Sequence, residues 1–188
     1  MKMNKILVVA LIIVLVIVLA YAIFKSTKSN VNNIDIYENP IVSLVIIGDD
    51  YVRIRAGVYA YGDIVQDGII DENDVKFMEL LLNSKLSFSD SQKLLADLNR
   101  DGVVNNADLE KLKKLVDDNK ELKYDIKTDS LEYGVSSTND STGCSWQSSN
   151  IINNITYGEY YAFARIKNTD KISLGYKFTY EENVEEEE

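Results

Sequence analysis

The sequence predicts a chain in several parts: an N-terminal transmembrane helix, a small α-helical module of two loop-helix repeats, and a C-terminal all-β segment that a hairpin is expected to join. Three observations predict it. Residues 6–24 form an uncharged, almost wholly aliphatic run. Residues 62–82 and 96–116 repeat one pattern at an offset of 34. Beyond residue 122 the apolar residues alternate instead of recurring at helical spacing. The expected boundaries are a basic flank (1–5), a membrane anchor (6–24), a stalk (25–40), the β-hairpin (41–61), the repeat module (62–118), the β segment (122–180) and an acidic disordered tail (181–188).

Roughly 20 apolar residues span a bilayer, and Ile6–Phe24 supplies such a run with Lys2 and Lys5 before it and Lys25 and Lys28 after it. A cleaved signal peptide is the alternative, because Ala20-Tyr21-Ala22 offers small residues where a signal peptidase reads. The uncleaved anchor is preferred, since the run continues through Ile23 and Phe24 beyond that cut. The polar, Asn- and Ser-rich stretch from Lys25 to Pro40 reads as a stalk.

Composition excludes more than it selects. Acidic residues outnumber basic ones by 30 to 20 with no long basic run, so no footprint for nucleic acid exists. There is no histidine and one cysteine, Cys144, which removes triads that need histidine, His-based zinc sites and an intrachain disulfide. Carboxylate pairs such as Asp49 and Asp50 exist, but nothing in the sequence places an acid and a base across a pocket, so the chain is read as not an enzyme. Cys144, beside Trp146, is a reactive thiol or a small apolar residue near a strand; the second reading is preferred.

The hairpin follows from β-branched and aromatic residues on either side of Gly48-Asp49-Asp50, from Ile41 to Tyr61. In the repeats, GDIVQDGIIDENDVKFMELLL and ADLNRDGVVNNADLEKLKKLV, each loop leads into a helix with an apolar stripe: Val75, Met78, Leu82 and Leu109, Leu112, Val116. Between them Ser89 and Gln92 fit a capping box opening a short helix through Ala96.

The loops carry the chemistry. An EF-type calcium loop draws oxygens from positions 1, 3, 5, 7 (backbone), 9 and 12, with glycine at 6 for the sharp turn. The second copy fits throughout: Asp97, Asn99, Asp101, the Val103 carbonyl, Asn105 and Asp108, with Gly102 at the turn. Carboxylates and amides at this spacing suit a hard cation that prefers several oxygens. The first copy offers Asp63, Asp67, the Ile69 carbonyl, Asp71 and Asp74 around Gly68, but its third position is Val65, which has no side-chain oxygen. Ca2+ is therefore expected at the second loop and more weakly, or not at all, at the first. The competing reading is two turns that merely precede helix caps. Weak calcium sites fill at extracellular calcium levels, so the C-terminal bulk is expected outside a cell membrane crossed once, or secreted if the leader is cut.

Residues before Asp63 look extended, so no helix leads into the loop. Loop-then-helix, duplicated, closing on Asp at position 12, resembles the dockerin family, and GDIVQDGIIDENDV with ADLNRDGVVNNADL is similar to its paired signature over Gly62–Asp118. The resemblance implies a calcium-dependent module that plugs into a cohesin domain and joins proteins into surface assemblies such as those that degrade polysaccharides. It further implies that the partner is read by Asn106, Ala107, Lys113 and Lys114 in the second copy and Glu72, Asn73, Glu79 and Leu80 in the first. These sets differ, so the Lys-bearing helix is the expected recognition face; an ordinary solvated helix end explains Lys113 and Lys114 equally well.

From Leu122 to Tyr180 about five strand-like runs occur, and INNITYGEYYAFARIKN resembles a late strand of an Ig-like or fibronectin-type sandwich with Tyr160 or Tyr161 at its corner. The hairpin is expected to pack with this segment, making the calcium unit an insertion. Core packing accounts for most of its aromatics, with a carbohydrate platform as the alternative. The leading functional reading is a membrane-anchored, extracellular attachment protein. Its rival is a calcium-stabilised spacer presenting a β domain for adhesion or carbohydrate binding.

Overall fold

The computed structural model describes residues 34–84 and 87–181. β-Branched residues flank the Gly48-Asp49-Asp50 turn and form β1 (Ile41–Ile47) and β2 (Tyr51–Gly57), paired antiparallel. A side chain at Gly48 would collide with the Tyr51 ring, its Cβ only 2.4 Å away. The register slips between Val42 and Leu44, a bulge that bends the edge strand. The other edge of β2 takes β6 (Ile151–Asn153). There Asn150 brackets Ile54: its carbonyl accepts the Ile54 N–H at 2.8 Å and its side-chain amide donates to the Ile54 carbonyl at 3.1 Å.

A second antiparallel sheet, in the order β5-β7-β8, is built from β5 (Leu131–Ser136), β7 (Gly158–Ile166) and β8 (Tyr176–Tyr180). Strands from distant parts of the chain share one core: Val42, Val52, Ile54 and Ala56 pack with Leu131, Tyr133, Ala162, Ala164, Phe178 and Tyr180. The Tyr180 hydroxyl donates to the Asp49 carbonyl at 2.5 Å, fixing the last strand to the hairpin turn.

Between β2 and β5 lie the helices, α1 (Glu72–Asn83), α2 (Asp90–Ala96) and α3 (Asn106–Asn119). α1 buries Val75, Met78 and Leu81 and α3 buries Leu109, Leu112 and Val116, a helical-period stripe on each, and the two helices pack together. Ser89 and Gln92 close a reciprocal capping box on α2. A two-residue ladder, β3 (Ile69–Ile70) against β4 (Leu122–Lys123), joins the first loop to the chain leaving α3. Leu95 of α2 packs with Ile41 and Tyr59, and with Tyr37 and Ile126 at the edge.

The described residues thus hold three α-helices and three sheets in a mixed α/β arrangement, which corrects the expected fold class of a membrane helix, a small helical module and an all-β Ig-like segment joined by the hairpin. Residues 122–180 do not form a sandwich of their own: β6 leaves them to pair with β2, and β4 leaves them to pair with β3. Tyr160 does not make the expected tyrosine corner, because its hydroxyl meets the Thr156 side chain at 2.9 Å, not upstream backbone. Among the described residues no helix is long and apolar enough to cross a membrane. The run over 6–24 that was expected to do so lies outside them, as do the basic flank, most of the stalk and residues 182–188.

Candidate metal centre

The two loops follow one backbone path. Positions 4 and 6 are left-handed in both, at Gln66 (φ 65°) and Gly68 (φ 86°) and again at Arg100 (φ 60°) and Gly102 (φ 83°). The sixth position needs glycine for that conformation. Positions 9 and 12 belong to the helices that follow. Asp71 and Asn105 are the N-caps of α1 and α3, accepting N–H bonds at 2.7 Å from Asn73 and Ala107. Asp74 and Asp108, three residues on, accept the N-cap N–H in return at 3.0 and 3.1 Å. One residue therefore closes the loop and caps the helix, which is why the repeat preserves both at once.

In the second loop Asp97 accepts from the Asp101 and Gly102 N–H groups, Asn99 from Asp101, and Asp101 from Val103, all between 2.8 and 3.1 Å. Asp108 is fully buried and accepts from Asn99 and Asn105 at 3.0 and 3.1 Å. Among the described residues, no group of three or more acids, cysteines or histidines is gathered closely enough to hold a metal. The second loop nevertheless fits a hard cation by the chemistry of its donors. Asp97 and Asp108 each spend two of about four lone-pair positions on the chain, and no salt bridge among the described residues involves Asp97, Asp101 or Asp108. A carboxylate buried like Asp108 is costly without a counter-charge. Asn99, Asn105 and the Val103 carbonyl add neutral oxygens of the kind calcium prefers.

The first loop is more enclosed. Asp63 and Asp74 are 0 % and 1 % exposed, whereas Val65, at the third position, is 42 % exposed and supplies no oxygen. Asp63 accepts from the N–H groups of Gln66, Asp67 and Gly68 and from the Tyr124 hydroxyl, the last at 2.5 Å. Asp74 accepts from Ile64, Val65 and Asp71. Asp67 and Asp71 face outward, bonded to the N–H groups of Ile69 and Asn73. Burial pushes the Asp74 carboxyl up to about 7, opposed by its N–H donors and reinforced by the nearby Asp63, which burial also raises. Burial and the bond to Asp63 raise the Tyr124 phenol and keep it protonated.

A carboxyl raised in the folded state, against about 4 unfolded, stabilises fully below the unfolded value, and that contribution is lost as pH rises through the folded one. With calcium chelated, the melting temperature is therefore expected to climb as pH falls from 8 to 5. Thermal melts of Asp74→Asn across that range should be flatter.

The helices bring the expected partner-reading residues into two states. Lys113 is tied to Glu79 at 2.9 Å and to Glu110 at 3.7 Å, bridging α3 to α1. Asn106, Ala107, Lys114, Glu72, Asn73 and Leu80 are exposed, and no ion pair of Lys114 occurs among the described residues. Two residues that matter here were not singled out by sequence. Arg100 pairs with Asp35 and lies over the Tyr61 ring at 4.6 Å, anchoring the second loop. Tyr124 closes the first. Neither follows from loop spacing, and Tyr124 lies 61 residues from its partner. Cys144 packs against Gly134, and burial pushes its thiol up to about 11, so it is a packing residue. Tyr133, Phe163, Phe178 and Tyr180 are likewise buried; Tyr157 alone of this group is exposed, stacked on Tyr180.

Compared with known families, residues 61–117 match the model of the dockerin type I domain. No curated protein and no solved structure matches the chain.

Proposed function

With residues 61–117 a dockerin type I domain, a non-catalytic module for protein–protein attachment, we propose that this chain is an attachment protein whose calcium-ordered α3 face docks a cohesin-type domain. The observation that carries the reading is Asp108: one buried carboxylate closes the second loop and caps α3. Filling that loop with calcium holds the start of α3, and with it Asn106 and Ala107, in place. Lys114 then offers a charge that forms no ion pair among the described residues, while Lys113 is spent on Glu79 and stiffens the pair of helices instead. Recognition is thus concentrated at Asn106, Ala107 and Lys114, with Glu72, Asn73 and Leu80 exposed on the other copy. A loop of this kind fills at calcium levels found outside the cytosol, which favours an extracellular setting.

Capture of a cohesin domain by the full chain tests this directly. Binding should be lost on chelation and recovered with calcium, and Lys114→Glu should weaken it roughly tenfold, as loss of one interface anchor does, with calcium affinity unchanged. Binding that ignores both chelation and Lys114→Glu would remove the proposed mechanism.

A further inference from the structure

We infer that the first loop closes without calcium, its metal replaced by the Tyr124 hydroxyl, so that the chain binds a single calcium ion through the second loop. The inference rests on the reading that the second loop holds calcium, and goes beyond it by assigning the two copies different chemistry.

The argument is one of lone pairs. A carboxylate offers about four. Asp63 receives four donors, the N–H groups of Gln66, Asp67 and Gly68 and the Tyr124 O–H, whereas its counterpart Asp97 receives two. Asp74 receives three donors, and its counterpart Asp108 two. Val65 gives no oxygen where Asn99 gives one. An ion entering the first loop would have to displace donors already made and would still lack a ligand. Tyr124 is itself satisfied, since its oxygen accepts the Ala60 N–H at 2.9 Å while its proton goes to Asp63. It also stands where a metal-free lock can be held: its own N–H reaches the Gly68 carbonyl at 3.1 Å beside the β3–β4 ladder. The hydroxyl comes from outside the matched dockerin segment, so the lock is a property of this chain. The consequence is a half-regulated module, in which α1 stays capped at any calcium level and only the start of α3 responds to the ion.

Calcium stoichiometry of the full chain by isothermal titration decides the point, with Asp101→Ala as the second-loop variant and Tyr124→Phe as the lock variant. One ion per wild-type chain, none for Asp101→Ala, and a melting temperature of Tyr124→Phe in chelator lower by roughly 5 °C are expected. Two ions per wild-type chain, one retained by Asp101→Ala, or an unmoved Tyr124→Phe melt would overturn the inference while leaving calcium-dependent docking intact. No ion at all on the wild-type chain would overturn both.

Discussion

Asp108→Ala is expected to abolish calcium binding at the second loop and to destabilise the calcium-free chain by about 2–4 kcal/mol. The side chain is fully buried, and its two oxygens hold the N–H of Asn99, in the loop, and of Asn105, at the helix N-cap. Truncation strands both donors and removes one half of the α3 capping box. Urea unfolding in chelator reads the stability loss, and titration with calcium reads the loss of binding. Asp108→Asn separates the two effects: it keeps the shape and one acceptor, so it should recover part of the stability while remaining weak for the ion. Full calcium affinity in Asp108→Ala would mean that the shell closes elsewhere.

Leu112→Ala is expected to cost about 2–5 kcal/mol. Leu112 is fully buried on α3, and its methyl group lies close enough to Gly62 that a Cβ there would come within 3.2 Å of it, beside Ile70. It therefore packs the second copy's helix onto the first copy's loop. The cavity falls at the seam between the repeats, so the loss should appear as one cooperative shift of the urea midpoint. Calcium at a hundredfold excess over its dissociation constant should offset about 2.7 kcal/mol of it, because only the folded loop binds the ion. A shift below about 1 kcal/mol would show that the helices are held together by the Lys113–Glu79 pair and not by packing.

What could be read from the residues was local. Helix starts were legible at Ser89 and in the two loops because an N-cap and its reciprocal partner lie three residues apart, and the α3 stripe of Leu109, Leu112 and Val116 is the buried one. The dockerin signature was legible for the same reason, as spacing along one short segment. The β region was not. Alternation on β7 marks Tyr160, Ala162, Ala164 and Ile166 as one face, but nothing in that strand says the covering residues are Val52 and Ile54, more than a hundred positions earlier. The Ig-like expectation failed at the strands: residues 122–180 supply the β5-β7-β8 sheet and lose β6 to the hairpin, whose strands β1 and β2 share the core with that sheet. Loop spacing likewise revealed the gap at Val65, but not the phenol brought in by a ladder of two residues.

That ladder bears on anyone wishing to transplant the module as a coupling tag. A graft trimmed to residues 61–117 would leave behind Leu122, Lys123 and Tyr124, and with them the strand that zips Ile69 and Ile70 and the hydroxyl that seats Asp63. On that side the module's contacts run on to Lys127, whose bridge to Val58 brings the outgoing chain back beside the incoming one.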